Sequence, residues 1–295
     1  MTFEEGDFQA IVAKHFPNAN LLDASRLTGG VSADVFRLVI EHESGVGSVV
    51  LRIHGDTHSS HPALLEYELL NSSLAADVLV AAPIAVDVSK EDIPAAYLLM
   101  ADVEGVTAIA KDFAPIAIRQ MAHVLFKLHD SLPKGLPELP RRLEPLPELF
   151  DYLPEGAEWQ SMKESLGKIQ RTFTGTPRLL HGDFWLENIM WRAERIVAIL
   201  DWEDAAIGDP LSDVAGCFSE LRYIYGLDGS ELFLDQYIRL SGWIDLRRLS
   251  LWKVYVNAAA QKYMGHWGLP VEKEVHMRAT ALTTLREAGE FLQQQ

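Results

Sequence analysis

Two polar loops that flank a short apolar run constrain this chain more than any other feature. The first loop is His181-Gly182-Asp183, with Asn188 five positions after the aspartate. The second begins at Asp201, thirteen positions after Asn188, where the apolar run 196–200 ends. A run of this length predicts a strand of a short hairpin, which would return the chain toward the first loop. The spacing therefore predicts that Asp183, Asn188 and Asp201 gather at one site.

An acid, an amide and a second acid are the groups that phosphoryl transfer requires. The Asp-x4-Asn separation is that of the H-R-D-x-x-x-x-N loop, in which the Asp receives a hydroxyl proton and the Asn helps to hold Mg²⁺. Taken singly, Asp183 fits a helix N-cap and Asn188 a turn amide. Together, the spacings favour Asp183, Asn188 and Asp201 as catalytic residues, with Asn188 and Asp201 as metal ligands.

The segments HGD-x4-N, Ile-Leu-Asp-Trp-Glu at 199–203 and GDP-x2-D at 208–213 resemble the aminoglycoside phosphotransferase and choline kinase-like family of small-molecule kinases. Gly182 stands where protein kinases have Arg, and Trp202-Glu203 stands where they have Phe-Gly, which indicates the small-molecule branch of the protein kinase-like superfamily. The resemblance is strong over 179–215, fair over 27–105 and weak beyond Leu221. His181 is expected to hold the loop in place, whereas Asp209 precedes Pro210 where a helix could begin and Asp213 falls in the first turn of that helix, where a negative charge is favoured.

This resemblance implies an α+β, two-lobed protein kinase-like fold. A small N-terminal lobe with an antiparallel β-sheet and one helix is expected over residues 1–102 and would bind the nucleotide. A larger, mostly helical C-terminal lobe over 103–295 would carry catalysis and substrate binding. ATP, with GTP as an alternative, and Mg²⁺ are the expected cofactors, and the nucleotide would lie between the lobes.

Hydrophobic periodicity agrees with this division. The first part predicts helices over 8–16 and 61–75 and strands over 21–27, 34–41, 48–54, 84–88 and 96–100. Helical spacing follows over 118–129, 162–173, 211–225, 231–240, 246–266 and 271–293. The proline-rich stretch 133–149 is expected to be a loop over the helical lobe.

The nucleotide contacts are expected on the first lobe. The turn with Gly29, Gly30 and Ser32 lies between two predicted strands, where backbone N–H groups could cover the phosphates, although a Gly-Gly turn is by default only a hairpin. Arg52 stands where a phosphate-positioning Lys is usual. Family members resembling macrolide phosphotransferases also carry Arg at this position. If Arg52 replaces that Lys, an Arg52→Lys variant should retain much activity. The alternative is a solvent-facing strand residue.

Arg52 needs an acidic partner, and the next predicted helix offers Glu66 and Glu68 about 200° apart, so only one of them can face the cleft. The family pattern favours Glu66. The segment 97–105 resembles the hinge that contacts adenine, with Met100 at the back of the pocket and Ala101, Asp102 and Val103 as hinge contacts. An edge strand that runs into a loop would have the same sequence. A histidine metal site in the loop 54–61 is not favoured because no fourth ligand is evident.

Composition narrows the partners. The chain has 295 residues, of which 48% are hydrophobic, and a formal net charge of −16. Such a charge argues against nucleic acid and anionic membranes and mildly favours a cationic substrate. Without a long apolar run, and with an acidic N-terminal segment, the chain is expected to act in the cytoplasm, as a monomer or homodimer. The single cysteine, Cys217, is expected to be a buried, inert thiol.

The acceptor is a small molecule with a hydroxyl group, either an aminoglycoside- or macrolide-like antibiotic or a metabolite such as choline, homoserine or a sugar. Charge for its recognition could come from Glu203, Asp204 and Glu220, and the aromatic residues of the last helices are expected to be mostly core. A hypothesis from another class is a nucleotide-binding pseudokinase module. Arg52 favours that hypothesis, whereas the intact Asp183, Asn188 and Asp201 argue against it.

Overall fold

The computed structural model describes residues 3–27, 33–55, 62–72, 78–131, 133–169 and 173–294. Contacts divide the chain into two compact units. The first unit comprises Met1–Thr107, Pro133–Glu138 and Ile189–Asp204, and the second comprises Ala108–Leu132, Leu139–Asn188 and Ala205–Gln295. Both units are discontinuous in sequence. A single boundary between residues 102 and 103 remains a prediction.

The first unit contains a five-stranded antiparallel sheet. Its strands are β1 (Asn20–Arg26), β2 (Ala33–His42), β3 (Gly45–His54), β4 (Pro83–Asp87) and β5 (Tyr97–Ala101), in the order β1-β2-β3-β5-β4. Helix α1 (Glu5–His15) precedes the sheet, and α2 (Ala63–Leu70) lies between β3 and β4 in the chain. The predicted strands and antiparallel arrangement are confirmed, with ends that differ by one to three residues from those predicted.

Alternating side chains place one face of this sheet against α1. Leu38, Leu51 and Ile53 are buried in one hydrophobic cluster with Phe8 and Ile11 of α1. Strand alternation turns Arg52 to the opposite face, where it is also buried, at 5% exposure. Arg52 is therefore not a solvent-facing residue.

A hairpin from later in the chain belongs to the first unit. Strands β8 (Ile189–Arg192) and β9 (Arg195–Ile199) pair antiparallel, and Ala193 and Glu194 between them have φ values of 47° and 61°. Two successive left-handed residues are typical of a two-residue type I′ hairpin turn. Bridges join Ile199 to Val80 and Trp191 to Val106. The short hairpin predicted before Asp201 is confirmed.

The second unit is mostly helical. Its helices are α3 (Ala114–Asp130), α4 (Leu149–Tyr152), α5 (Ala157–Leu166), α6 (Leu211–Ser241), α7 (Leu246–Tyr263) and α8 (Val271–Gln293). A small sheet in the order β6-β10-β7 joins β6 (Arg141–Arg142), β7 (Arg178–Leu180) and β10 (Ala206–Gly208). A hydrophobic cluster packs α4 and α5 against α7 and α8 through Leu149, Trp159, Leu251 and Leu285.

Some element boundaries differ from the predicted ones. The two helices predicted over 211–225 and 231–240 both lie within α6, and Gly226, with a non-helical φ of 72° and ψ of −171°, separates them. The helix predicted over 162–173 lies earlier, at 157–166. The proline-rich stretch contains a short strand, β6, because Arg141 and Arg142 pair with Ile207 and Gly208 of β10. Among the described residues, no helix is long and apolar enough to cross a membrane.

Candidate active site

The loop that follows β7 holds Asp183 and Asn188 together within the second unit. Asn188 is 9% exposed, and its Nδ2 donates to the backbone oxygen of Asp183 at 2.9 Å and to Asp183 Oδ2 at 3.0 Å. A one-turn 3₁₀-helix, Leu186–Asn188, returns the chain so that this contact forms. The amide nitrogen of Asn188 thus fixes the Asp183 carboxylate. The Asn188 Oδ1 is the atom that could reach a metal ion.

His181 has the structural role that was expected of it. Its side chain is completely buried, and the Asp183 N–H donates to its Nδ1 at 3.2 Å. Gly182, between the two residues, has a φ of 87°, a left-handed conformation that favours glycine. His181 therefore orients the backbone of Asp183.

Asp213, in the first turn of α6, accepts hydrogen bonds from the backbone of the same loop. Its buried carboxylate accepts from the His181 N–H at 2.7 Å and the Gly182 N–H at 3.0 Å, and His129 Nε2 lies 3.3 Å away. Burial would raise the pKa of Asp213, but the contact with His129 and the neighbouring positive groups hold that pKa below its usual value. Arg142 Nη1 also donates to the Gly182 oxygen at 3.2 Å. Three hydrogen bonds with the side chains of Asp213 and Arg142 therefore fix the backbone that precedes Asp183.

Asp209 anchors the start of α6. Its Oδ1 accepts from the Leu211 N–H at 3.0 Å, and its Oδ2 accepts from Trp252 Nε1 at 2.6 Å and from Arg248 Nε. Both partners lie on α7, where Trp252 is completely buried, so this tryptophan belongs to the core as expected. The two aspartates of the GDP-x2-D segment therefore connect α6 to α7 and to the loop that carries Asp183.

Acidic side chains surround Asp183 within the second unit. Burial, followed by the charge of Asp183, raises the pKa of Glu220 on α6 to about 7, and Glu187 adds to this effect. Glu220 Oε2 is enclosed, and among the described residues no hydrogen-bond partner reaches it. Lys273 of α8 lies 3.5 Å from Glu187 and lowers the pKa of Glu220. The surroundings of Asp183 are therefore suited to a positively charged group.

Arg52 is the centre of a buried ionic cluster in the first unit. Its Nη2 lies 2.6 Å from Glu203 Oε2 and 2.8 Å from Asp201 Oδ1, and its Nε lies 3.5 Å from Glu66 Oε2. Burial would raise the pKa of Glu66, but the charge of Arg52 and contacts with His54 and the Trp202 backbone hold that pKa below its usual value. Glu66 is thus the residue of α2 that faces Arg52. The contact with Glu203 was not expected.

The Asp201-Trp202-Glu203 segment follows β9 with an unusual backbone conformation. Asp201 has a φ of 62°, a left-handed value that is uncommon for a residue other than glycine and is often found at functional sites. Trp202 is buried, and its Nε1 donates to the Ile199 oxygen at 3.1 Å. The tryptophan therefore anchors the turn that brings the two flanking carboxylates to Arg52.

The segment expected to be the hinge runs from the end of β5. Met100 and Ala101 pair with Val50 and Val49 of β3, and the Ala101 N–H donates to the Ala82 oxygen at 2.8 Å. The Asp102 carboxylate accepts from Ser48 Oγ at 2.6 Å and from Arg37 Nη2 at 3.1 Å. The side chain of Asp102 therefore holds β2 and β3 together. Contacts between adenine and the backbone at Ala101, Asp102 and Val103 stay predictions.

Several expected contacts lie outside the described residues. Gly29, Gly30 and Ser32 fall in the gap 28–32, and His58 and His61 fall in the gap 56–61. On either side of the first gap, the Leu27 N–H donates to the Val35 oxygen at 2.8 Å, so β1 and β2 remain paired where the gap begins. His54, which is described, lies 3.3 Å from Glu66 through its Nε2.

The residues present fit a magnesium ion bound together with phosphates. No cluster of three or more His, Cys, Asp or Glu side chains suited to a metal occurs in the described ranges. Mg²⁺ commonly takes only one or two protein oxygen ligands and completes its shell with water and phosphate oxygens. The Asp201 carboxylate in the first unit and the Asn188 Oδ1 in the second unit are each an oxygen donor of this kind.

Comparisons of the sequence with known proteins show the family. Residues 23–252 match the model of the phosphotransferase enzyme family. Viomycin phosphotransferase of Streptomyces vinaceus is 31% identical over 74 residues, which are 24% of this chain and 23% of that protein. Acyl-CoA dehydrogenase family member 11 of Homo sapiens is 43% identical over 58 residues, 19% of this chain and 7% of that protein. These alignments thus span less than a quarter of each curated relative.

Solved structures share the fold over nearly the whole chain. A structure from Ralstonia eutropha, described as an aminoglycoside phosphotransferase, has a TM-score of 0.70 and 18% identity and covers 99% of both chains. Choline kinase of Streptococcus pneumoniae has a TM-score of 0.66 and 15% identity over 95% of this chain and 98% of that one.

An aminoglycoside phosphotransferase solved with ADP and hygromycin B has a TM-score of 0.62 and 16% identity over 96% of this chain and 98% of that one. Identities this low show the fold alone. The α+β kinase-like architecture is therefore confirmed, and the match of the family model over most of the chain assigns the protein: it belongs to the phosphotransferase enzyme family.

Proposed function

We propose that this chain transfers the γ-phosphoryl group of ATP to a hydroxyl group of a small molecule. The observation that carries the proposal is the loop after β7, in which Asn188 holds the Asp183 carboxylate at 3.0 Å and Asp213 holds the preceding backbone. Positioning and charge neutralisation supply most of the rate in phosphoryl transfer, so a rigidly held carboxylate is what this chemistry needs. Membership of the phosphotransferase family supports the same reaction.

Asp183 acts as the catalytic base. Its carboxylate accepts a hydrogen bond from the acceptor hydroxyl and orients the hydroxyl oxygen toward the γ-phosphorus. The new bond forms between that oxygen and phosphorus while the bond between phosphorus and the leaving ADP oxygen breaks, and the hydroxyl proton passes to Asp183. Asn188 keeps the carboxylate in the orientation that this hydrogen bond requires. Transfer is direct, without a covalent intermediate on the protein.

Asn188 and Asp201 are the proposed Mg²⁺ ligands. The ion, when bound, neutralises charge on the transferred phosphoryl group. Asp201 sits in a turn whose backbone is held in the left-handed region, and Arg52 lies 2.8 Å from its Oδ1. The Arg52 side chain is the proposed contact for the phosphates, supported by Glu66 on α2. The turn with Gly29, Gly30 and Ser32 and the hinge at 100–103 complete the proposed nucleotide site.

A cationic acceptor agrees best with the charges around Asp183. The charges of Asp183 and Glu187 both act on Glu220, and the chain as a whole is strongly acidic. A bound ammonium group would bring the opposite charge to the enclosed Glu220 oxygen. Among the similar proteins, the aminoglycoside phosphotransferase was solved with hygromycin B, and other members are named for viomycin and choline. Antibiotic-like amines and metabolic amines are therefore the first acceptors to test.

The experiment has two stages. A thermal-shift titration with ATP, with and without Mg²⁺, tests nucleotide binding, and a panel of hydroxyl acceptors then tests transfer by mass spectrometry. We expect stabilisation by ATP that increases with Mg²⁺ and a mass gain of one phosphoryl group in at least one amine-bearing acceptor. Binding without transfer to any acceptor would instead support a nucleotide-binding pseudokinase module. Transfer only to uncharged sugars would contradict the preference for cations.

A further inference from the structure

Glu203 makes the shortest of the three contacts between Arg52 and a carboxylate. The two residues are 151 positions apart in sequence, on β3 and on the turn after β9, and the distance between Arg52 Nη2 and Glu203 Oε2 is 2.6 Å. Arg52 is 5% exposed and Glu203 is 8% exposed. A hydrogen-bonded ion pair that is shielded from water in this way fixes the geometry of both side chains.

The guanidinium group is held along two edges. Its Nε faces Glu66 of α2, at 3.5 Å, and its Nη2 faces Asp201 and Glu203, at 2.8 and 2.6 Å. A guanidinium presents donors from separate nitrogens in a rigid plane, whereas a lysine presents all its donors from one atom. A lysine at position 52 could therefore not reproduce the contacts with Glu66 and Glu203 in the same way.

Charge balance gives Glu203 a distinct role. One guanidinium faces three carboxylates, and Asp201 is the carboxylate that is proposed to take Mg²⁺. If Asp201 bound the metal ion, its charge would be shared between the ion and Arg52, and Glu66 and Glu203 would still hold the guanidinium in place. A carboxylate left in these surroundings without a cation would be unfavourable, so Glu203 depends on Arg52 as much as Arg52 depends on Glu203.

We propose that Glu203 is a positioning residue for the nucleotide phosphates, and that Arg52 and Glu203 act as one unit in place of the single lysine that is usual at this position. The proposal rests on the function proposed above and deepens it. Glu203 acts through Arg52 and not through the acceptor, because its carboxylate is directed to the guanidinium. It follows that replacing Arg52 with Lys leaves Glu203 with a poorer partner. Although this variant keeps the positive charge at position 52, it should bind the nucleotide phosphates more weakly than the parent.

Isothermal titration of the full chain with Mg²⁺ and AMP-PNP, without any acceptor, tests this role. The variants are Glu203→Gln, Arg52→Lys and the double substitution, each also titrated with AMP, which lacks the β- and γ-phosphates. We expect Glu203→Gln to raise the Kd for Mg·AMP-PNP about fivefold to tenfold and Arg52→Lys to raise it more than tenfold, with Kd values for AMP within about twofold of the parent. The Kd of the double variant for Mg·AMP-PNP should rise by less than the product of the two increases seen in the single variants.

The matched control is Glu194→Gln, which removes the same charge from the exposed turn between β8 and β9 and should leave both Kd values unchanged. In the absence of nucleotide, the double variant should also lose less unfolding free energy than the sum of the losses of the two single variants, since the ion pair exists without ligand. If Glu203→Gln does not fold, Glu203→Asp, which keeps the charge on a shorter side chain, should show a smaller loss in Mg·AMP-PNP binding and a normal AMP affinity.

Three results would overturn the proposal. Unchanged or tighter binding of Mg·AMP-PNP by Glu203→Gln would show that the carboxylate is neutral or competes with the phosphates for Arg52. Equal losses for AMP and AMP-PNP would show a general structural effect, and independent effects in the double variant would show that the two residues do not act as a unit. Failure to find an acceptor leaves these binding results valid, whereas a parent chain that does not bind Mg·AMP-PNP would overturn both this proposal and the proposed function.

Discussion

Replacing Asp213 with asparagine should destabilise the protein strongly while changing no side chain that touches substrate. The Asp213 carboxylate is 3% exposed and accepts the backbone N–H groups of His181 and Gly182 at 2.7 and 3.0 Å. Asparagine keeps one acceptor oxygen but turns an NH₂ group toward the second N–H. One hydrogen bond is then weakened by loss of charge, and the other is replaced by two donors that face each other.

The magnitude follows from these contacts. A hydrogen bond to a charged group contributes about 1.5–3 kcal/mol, and a buried donor left without an acceptor costs about 1–3 kcal/mol. The free energy of unfolding of Asp213→Asn should therefore be about 3–5 kcal/mol lower than that of the parent. This is a large part of the roughly 5–15 kcal/mol that is typical of native proteins.

Urea unfolding, followed by far-UV circular dichroism at neutral pH, measures this difference. The control is Asp235→Asn, an exposed site on the same helix, which should stay within about 0.5 kcal/mol of the parent. Because the pKa of Asp213 in the folded protein lies below its usual value of 3.8, the stabilisation is complete at neutral pH and is lost as the pH falls through that lowered pKa. A loss at neutral pH no larger than that of Asp235→Asn would refute the assignment of Asp213 as the support of the catalytic loop.

The remaining predictions concern the metal, a buried acid and a close backbone contact. Asp201→Ala should abolish the increase in ATP affinity that Mg²⁺ causes, and a titration that still shows the parental increase would contradict the ligand assignment. The pKa of Glu220 is raised from 4.5 to about 7, so the stability of the parent should fall as the pH rises between these values. Glu220→Gln should therefore be more stable than the parent by about 3 kcal/mol at pH 8 and by about 1 kcal/mol or less at pH 5, and equal differences at both pH values would exclude this origin. Gly208→Ala should lower the free energy of unfolding by about 2–4 kcal/mol, because a Cβ there would lie 2.0 Å from the Arg142 oxygen. Gly216→Ala on α6, where a Cβ would meet nothing within 4 Å, should be neutral or stabilising. Similar melting temperatures for the two variants would argue against the close pairing of β6 and β10.

The sequence predicts elements best where local pattern and tertiary packing agree. The helix predicted over 271–293 is α8, because its apolar stripe, with Leu285 and Leu292, is also the face that packs in the core. Helices were also predicted over 211–225 and 231–240, and Gly226, whose φ and ψ are non-helical, lies between them within α6.

The prediction of site residues and their partners from the sequence has a similar limit. The spacing of Asp183 and Asn188 predicts a contact between them, and both lie in one loop, where a 3₁₀ turn joins them. Cys217 is buried, and burial raises the pKa of its thiol, in agreement with an inert residue. The partners of Arg52 are another matter. Helical geometry allowed only one of Glu66 and Glu68 to face Arg52, and the family resemblance favoured Glu66. The pairing with Glu203 depends on where the hairpin β8-β9 places a residue 151 positions away, which no local pattern specifies.

Roles of the GDP-x2-D segment could be predicted only in part. Asp209 was expected to begin α6, and it does so by accepting the Leu211 N–H. Its second carboxylate oxygen is used by Arg248 and Trp252 of α7, a contact that depends on the tertiary packing of two helices. A buried acid in a glycine- and proline-bounded turn is the available signal for such an anchor, but its partners are determined by the fold.

Transfer of a labelled γ-phosphoryl group by the parent and by Asp183→Asn tests the central claim most directly. The substitution keeps the shape of the side chain, including an acceptor for Asn188, but removes the charge that orients and deprotonates the hydroxyl. With γ-labelled ATP, Mg²⁺ and an acceptor from the amine-bearing panel, the parent should place the label on the acceptor. The variant should bind ATP with nearly the parental Kd and show a kcat lower by about two to four orders of magnitude. An Asp183→Asn enzyme that transfers the label with the parental kcat would contradict the account.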